Sequence, residues 1–321
     1  MAGNPNYNTD LLTTTMAKFI QKQPVDVFFT KLAFWDWLNK KGGIKKRDDG
    51  GLKMLVALAT AANTTVMAYS GYDVLDVSPQ TGLTAAEFEM KGYNGSVTIS
   101  GEDELKNAGE AQVSDLLEAK WDQLRRSFRD KLNEHAYLDG VGTGGETGKV
   151  ITGLALMVDS AGTYGNIDRA TNTWWSAQET AVGGPLQIDG STGMRRMYND
   201  CGRGQGAMTP DGILTTQAIF EAYEQSMAPY LRYTVTGEAN AVFESDTLKF
   251  RKAPMLWDEE CQSGIMYFLN SEVLQLRVRK DMTVTPFQTP ANQDAKIAHI
   301  RFWAQLIATD CQRLGKLTGI S

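Results

Sequence analysis

Apolar residues follow their most regular pattern between Glu102 and Ala136, where they recur every three or four positions. This spacing places them along one face of a single helix, which we call the spine helix. Ser100 and Asp103 have the spacing of a capping box and predict that the helix begins near residue 102, while the glycine-rich stretch 139–145 predicts its end. The apolar positions are Leu105, Ala108, Val113, Leu116, Leu117, Trp121, Leu124, Phe128 and Leu132.

The spine helix would span about 50 Å, which is longer than most globular domains require. Because only one of its faces is apolar, that face needs an equally long apolar counterpart. The C-terminal part of the chain supplies one through Ile297, Ile300, Phe302 and Leu306. We therefore expect Leu117, Leu124 and Phe128 to be buried against these C-terminal strands, with Phe128 at the centre of the contact.

A long loop lies between segments that have strand patterns. Residues 52–58 form a short apolar run, residues 86–91 alternate strictly, and residues 96–100 are rich in β-branched side chains, which indicates antiparallel strands. The roughly 25 residues after the first segment are too many and too apolar for a plain hairpin turn. We expect a projecting loop whose tip is buried on an adjacent subunit. The tip residues are Val66, Met67, Tyr69, Tyr72, Val74 and Leu75.

The N-terminal region divides into a polar arm and a short helix. Residues 1–24 are rich in Asn and Thr and predict an extended arm. Residues 25–39 carry large apolar side chains at helical spacing, and this helix docks either on its own domain or on another subunit. The basic cluster that follows, Lys40 to Arg47, is typical of a solvated loop unless it faces a polyanion.

The remainder of the chain mixes helix and strand patterns. We predict a buried strand over 149–158 and then a linker-like stretch with an aromatic anchor at 173–175 and a break at 183–185. Two long strands, Val273–Val284 and Lys296–Ile307, are predicted near the C-terminus. The other predicted elements are helices over 194–201 and 215–230 and strands over 233–236, 241–243, 247–250 and 265–269.

Composition narrows the class of protein. The 321 residues are 42% hydrophobic and 22% charged, which is ordinary for a soluble protein with room for two cores. A net charge of −6 provides no general attraction to nucleic acid, although local contacts are possible. Three scattered cysteines predict a reducing compartment without disulfides or zinc, and no segment has the pattern of a signal peptide or a membrane span.

Candidate chemical motifs fail on spacing or context. The glycine-rich stretch after the spine helix lacks the residues of a phosphate-binding loop at Thr143 and Val150, so we interpret it as a connector. With only His135 and His299 present, neither a histidine metal site nor a catalytic triad is indicated. The acidic group 258–260 is interpreted as a solvated turn in preference to a cation site. We therefore expect no enzyme activity, no metal and no cofactor.

Four segments together resemble the major capsid proteins of tailed double-stranded DNA bacteriophages, the family with the Hong Kong 97-type fold. They occur in the order of that family and extend over nearly the whole chain. They are the loop segment Tyr72–Asp76, the spine sequence SDLLEAKWDQLRRSFRDKLN with its exit YLDGVGTG, the connector Tyr164–Arg169, and the block LKFRKAPMLWDEEC with YFLNSEVLQL.

This resemblance implies an α+β fold with a defined division of the chain. The implied parts are an arm with a short helix over 1–50, an extended loop over 51–101, a peripheral domain over 102–184 and 272–310, an axial domain over 185–271, and a C-terminal return over 311–321. The axial domain is expected to cluster about five-fold and six-fold axes.

The resemblance also implies a function and a set of partners. The chain would assemble as hexamers and pentamers into an icosahedral head shell, in the bacterial cytoplasm, around double-stranded DNA held by confinement. Because no long scaffolding segment precedes the arm, a separate scaffolding protein is expected, with a portal and possible decoration proteins. An encapsulin-like compartment, which packages an enzyme, is the alternative with the same fold.

Overall fold

The computed structural model describes residues 32–46, 51, 53–102, 116–142, 144–202, 208–227, 248–290 and 292–321. These residues belong to two compact units. The first, which we call the spine unit, draws on Gly92–Leu132 and Lys280–Phe302. The second, the sheet unit, draws on Lys31–Lys91, Asn133–Arg279 and Trp303–Ser321.

Helices and strands are mixed along the chain, which confirms the predicted α+β class. The helices are α1 (Ala33–Lys40), α2 (Leu116–Tyr137), α3 (Leu154–Met157), α4 (Met194–Asp200) and α5 (Gln217–Met227). The first seven strands are β1 (Ile44–Lys46), β2 (Lys53–Ala59), β3 (Leu83–Glu89), β4 (Lys91–Ser100), β5 (Thr163–Tyr164), β6 (Ile167–Asp168) and β7 (Gln178–Gly184). The others are β8 (Gly212–Thr215), β9 (Lys249–Phe250), β10 (Ala253–Trp257), β11 (Met266–Leu269), β12 (Leu274–Val284), β13 (Ala295–Ala308) and β14 (Gly315–Ile320).

In the spine unit, α2 packs its apolar face against strands. Phe128 is 7% exposed, and its ring centroid lies 6.1 Å from that of Phe302 on β13 and 6.0 Å from that of Tyr93 on β4. Gly95 permits the close approach of β4, because a Cβ at that position would lie 2.7 Å from Leu124 Cδ1. The helix therefore rests on the sheet through aromatic rings and one small residue.

The sheet unit is built on six strands in the order β7-β14-β11-β8-β10-β9. Strand β11 pairs antiparallel with both β14 and β8, and β8 pairs parallel with β10. Helices α4 and α5 contribute to one buried cluster with these strands, because their apolar residues recur at helical spacing. Members of this cluster include Met194, Met197, Ile219, Phe220, Tyr223, Met255, Met266, Phe268 and Leu317.

Helix α1 docks within its own unit, which decides between the two alternatives that the sequence left open. Phe34 and Leu38 are fully buried, and the Phe34 ring lies 6.1 Å from the Tyr137 ring. The Trp37 indole donates to the Asp211 carbonyl at 3.3 Å. Asp258, also fully buried, accepts hydrogen bonds from the Phe34 amide and the Asn133 side chain.

The burial of Asp258 corrects the solvated turn predicted over 258–260. Glu259 and Glu260 are exposed as expected, but the Asp258 carboxylate turns inward and accepts its hydrogen bonds from neutral donors. Hydrogen bonds of this kind offset part of the cost of removing a charge from water. A run of three acidic residues does not reveal which of them has such donors.

Two predictions over 149–184 are wrong. No strand forms over 149–158, and four residues of this segment form the short helix α3. Most of its apolar side chains are buried as expected, but a short apolar run does not distinguish a buried strand from a buried helix. The linker-like interpretation is wrong because β7 pairs parallel with β14, whereas the aromatic anchor predicted at 173–175 is present, with Trp175 2% exposed. Strand β7 lies at the edge of the sheet and consists mainly of small and polar residues, so its sequence does not have a strand pattern.

Most of the remaining predicted elements are present. The helices over 194–201 and 215–230 correspond to α4 and α5, and the two long C-terminal strands correspond to β12 and β13. The glycine-rich exit of the spine helix is a connector, closed by the Gly148 amide on the Val141 carbonyl at 2.6 Å. The arm, residues 103–115 at the start of the spine helix, and the strands predicted over 233–236 and 241–243 lie outside the described residues.

A buried lysine on β14 forms ion pairs with Glu179 on β7 and with Asp159. Lys316 is 7% exposed, and its Nζ lies 2.9 Å from an Asp159 carboxylate oxygen and 3.2 Å from one of Glu179. Burial acts to raise the pKa of Asp159, but the Ala161 amide and Lys316 outweigh it and leave that pKa below its ordinary value. The pair is thus stabilising only while Asp159 is ionised.

Truncating Phe128 tests the core of the spine unit. Phe128→Ala is expected to lower the free energy of unfolding by about 3–5 kcal/mol, since it removes a buried ring that two other aromatic residues contact. The control is Arg125→Ala, whose ion pair with Asp122 is largely exposed and which should change stability by less than about 0.5 kcal/mol. Denaturant unfolding of the free subunit measures both; equal stability of the two variants would contradict the packing described.

Replacing Lys316 tests the attachment of β7. Lys316→Met leaves Asp159 and Glu179 without their shared cation and should lower the free energy of unfolding by about 1–3 kcal/mol at neutral pH. Because the pKa of Asp159 is lowered in the folded state, this difference should shrink once the pH falls below 3.8, the ordinary aspartate value. Arg195→Met, which breaks an exposed pair with Asp189, is the control and should show neither effect.

Candidate assembly surface

The loop between β2 and β3 exposes the largest set of apolar side chains in the described part of the chain. Tyr72 is 105% exposed, Val74 is 89% exposed and Val66 is 83% exposed. Met67, Tyr69 and Leu75 are each at least half exposed. All six tip residues predicted from the sequence therefore lie in water in the single subunit.

The exposed set is larger than the sequence predicted. Val77 is 91% exposed and belongs to the same loop. On the stem, Leu55 and Leu83 are exposed on the face that also carries Ala57 and Ala85, since these residues alternate along the paired strands. The alternating pattern of β2 and β3 could have identified Leu55 and Leu83, whereas no pattern marks Val77.

Polar groups of the loop bond mainly to one another. The Gln80 side chain accepts hydrogen bonds from the Thr64 amide and hydroxyl, and the Gly82 carbonyl accepts them from the Thr60 amide and hydroxyl. Asp73 accepts from the Ser70 amide at 2.8 Å. The loop thus has a folded shape of its own while its apolar side chains are left exposed.

The loop carries only negative charge. Asp73 and Asp76 are the residues between 60 and 82 that carry a formal charge at neutral pH. Hydrogen bonds from the Ser78 amide and hydroxyl lower the pKa of Asp76, so this carboxylate is ionised at neutral pH. At the base of the hairpin, a 2.7 Å contact with Glu87 raises the pKa of Lys53. A partner surface for the tip would therefore be apolar with basic groups at its edge.

The predicted core residues of the spine helix differ in how far they are buried. Phe128 is buried, and Leu124 is half-buried where β4 approaches α2. Leu117 lies in the first turn of α2 as the structure describes it, and its side chain is outside the described set. Of the expected strand partners, Ile300 and Phe302 are buried within the same unit.

The structure places no metal-binding cluster in the described residues. They contain no group of three or more His, Cys, Asp or Glu side chains placed to hold a metal ion. Cys201, Cys261 and Cys311 are all buried, and burial raises the pKa of Cys261 and of Cys311 to about 12. Thiols with such pKa values are almost entirely protonated at neutral pH and react slowly. None of the described helices is long and apolar enough to cross a membrane.

Neither a protein-family model nor a curated protein matches this sequence. Solved structures do match the fold over almost the full length of both chains. One is the capsid asymmetric unit of cyanophage A-1(L), with a TM-score of 0.67 and 14% identity over 94% of this chain and 97% of that chain. Another is the capsid of Myoviridae phage XM1, with a TM-score of 0.56 and 12% identity over 100% of each chain.

An encapsulin has the same fold. The SrpI encapsulin of Synechococcus elongatus PCC 7942 matches with a TM-score of 0.58 and 11% identity over 97% of this chain and 95% of that chain. Together these similarities establish that the chain has the Hong Kong 97-type capsid fold, which confirms the resemblance found in the sequence. At such low identity they describe the fold and leave the cargo of any shell open.

Removing the exposed apolar groups of the loop should weaken self-association without weakening the fold. For Tyr72→Ser combined with Val74→Ser, we expect the free energy of unfolding to stay within about 0.5 kcal/mol, because both side chains are exposed. Sedimentation should then show fewer large assemblies than in the parent. Tyr72→Phe combined with Val74→Ile keeps the apolar surface and is the matched control. Unchanged assembly of the serine variant would exclude this surface as a subunit contact.

Proposed function

We propose that this protein is the major capsid protein of a tailed bacteriophage and forms the icosahedral shell around its double-stranded DNA. The observation that carries the proposal is the full-length match to capsid chains, combined with an exposed apolar loop. A monomer gains nothing from exposing Tyr72, Val74 and Val77, whereas a subunit that repeats many times buries them at every contact.

The parts of the chain would have distinct roles in the shell. The loop tip is buried on an adjacent subunit, and residues 1–24 cross neighbouring subunits as an arm. The spine helix with β12 and β13 forms the peripheral domain, and the sheet of the axial domain lies about the five-fold and six-fold axes. The chain would divide as the resemblance implies, except that β7 joins the axial domain because it pairs with β14.

The role is structural and not catalytic. It is supported by the capsid chains of the same fold and by the buried, protonated state of Cys261 and Cys311. Self-assembly into hexamers and pentamers supplies the main partner, another copy of the chain. A separate scaffolding protein, a portal and possible decoration proteins complete the proposed set, with assembly in the bacterial cytoplasm.

Contact with the genome would be weak and dominated by confinement. A subunit of net charge −6 is repelled on average by DNA, so attraction is limited to local basic side chains such as Arg125 and Arg129. Such contacts are screened at physiological salt. The DNA is then retained by the closed shell itself.

An encapsulin-like compartment is the second candidate, supported by the match to the SrpI encapsulin. It differs in cargo, since an encapsulin-like shell would enclose an enzyme. Among the described residues nothing distinguishes an enzyme cargo from a genome, because both readings use the same fold and the same kind of subunit contact.

Electron microscopy of the purified full-length protein tests the proposal. We expect closed shells or ring-shaped capsomers, and nuclease-protected double-stranded DNA in shells isolated from their native source. Shells that contain a folded enzyme and no DNA would favour the encapsulin-like compartment. A protein that stays monomeric at all concentrations, with and without co-expressed proteins from its own genome, would contradict both candidates.

A further inference from the structure

A tight turn in the sheet unit touches the base of the projecting hairpin. Strands β5 and β6 are joined by Gly165 and Asn166, both with positive φ values, of 59° and 62°. This is the backbone of a two-residue turn in which glycine and asparagine are favoured. The turn therefore has a fixed shape that depends on these two residue types.

The turn meets strand β3 at van der Waals distance and through its backbone. The Glu87 amide donates to the Gly165 carbonyl at 2.9 Å. A Cβ at Gly165 would lie 2.9 Å from Ala86 Cβ and 3.0 Å from Phe88 Cζ. No larger residue fits at position 165 unless β3 moves away.

The other side of the turn is anchored in a rigid cluster. Tyr164 is 1% exposed, its ring stacks on Trp175 at 5.8 Å, and its hydroxyl accepts from the Ala308 amide at 2.8 Å. Arg169, equally buried, places its guanidinium 5.1 Å from the centre of the Tyr164 ring and donates to three backbone carbonyls. Because these groups hold β5 in place, we expect a collision between the turn and β3 to displace β3 and not the turn.

The buried side chains of the hairpin are Met54, Leu58, Ala86 and Phe88, and the Phe88 ring lies 5.2 Å from that of Tyr164 beside the turn. A two-stranded sheet is only marginally stable by itself, and its far end carries the exposed loop. Strands β2 and β3 each have seven residues, and each residue adds about 3.3 Å to the length of the hairpin. A small rotation at the base of the hairpin therefore displaces its tip by several ångströms. Contacts near Ala86 and Phe88 therefore determine where the tip points.

We infer that the Gly165–Asn166 turn is a stop that sets the angle at which the hairpin projects from the rest of the sheet unit, and thereby the curvature of the assembled shell. Gly165 is a positioning residue in this device, because it contacts β3, one of the two strands that carry the exposed loop. The inference rests on the proposed function, because curvature has a meaning only if the loop joins subunits.

Gly165→Ala in the full-length protein tests the stop. The added methyl group should displace β3, break the hydrogen bond to Gly165, and raise the exchange rate of the Glu87 amide in the free subunit by about tenfold or more. In electron micrographs we expect shells of altered or mixed diameter. The Ala308 amide, which donates to the Tyr164 hydroxyl, should keep its slow exchange, because Trp175 and Arg169 also hold the Tyr164 ring.

Gly162→Ala is the matched control. Gly162 also has a positive φ, of 75°, but a Cβ there would have no atom within 4 Å. In this variant an alanine has a positive φ and the backbone strain that follows, but its Cβ collides with no other atom. We therefore expect shells of the parent diameter. If both variants alter the shells equally, strain in this region explains the effect and the inference is wrong.

A second-site change keeps the test decisive if Gly165→Ala disturbs folding. Ala86→Gly removes the nearest colliding atom and leaves the 3.0 Å approach to Phe88 Cζ, so the double variant should shift the shell diameter and the exchange of the Glu87 amide back towards the parent values. Parent-sized shells from Gly165→Ala alone, or no recovery in the double variant, would overturn the inference. A parent protein that forms no shells would instead overturn the proposed function, and the exchange measurement would still report on the stop.

Discussion

The cost of leaving apolar side chains in water governs this structure. The six-stranded sheet and its helices bury a continuous apolar cluster, yet the loop between β2 and β3 keeps Tyr72, Val74 and Val77 exposed. The loop is not an unfolded segment, because Gln80, Asp73 and the Thr60–Gly82 contact give it internal hydrogen bonds. Within the proposed function, association removes these side chains from water, which contributes about 25 cal/mol for each Å² of apolar surface buried.

Sequence periodicity predicted the elements that have one continuous pattern. The spine helix, β12, β13 and helices α4 and α5 were found because their apolar residues recur at fixed spacing. Strand β7 was missed because its sequence, QETAVGG, resembles a loop, and its place in the sheet depends on β14 and on Lys316 from the far end of the chain. Such long-range pairing has no local signature.

The candidate surface was predicted from composition and not from a motif. A long segment rich in Val, Tyr and Leu without an evident intrachain partner was enough to identify six tip residues, but not Val77. The role of Gly165 required coordinates, although the Gly-Asn pair is itself a turn signal. What the sequence lacks is the distance from that turn to Ala86 and Phe88, two residues that are separated from it by almost eighty positions.

The three buried cysteines have a consequence for the life of a particle. Within the proposed function, a shell forms in a reducing cytoplasm and later meets oxygen outside the cell. A thiol whose pKa is raised to about 12 holds only a trace of reactive thiolate at neutral pH, so Cys261 and Cys311 are poor targets for oxidation. Within the proposed function, these two side chains would therefore stay reduced both in the cell and in the released particle.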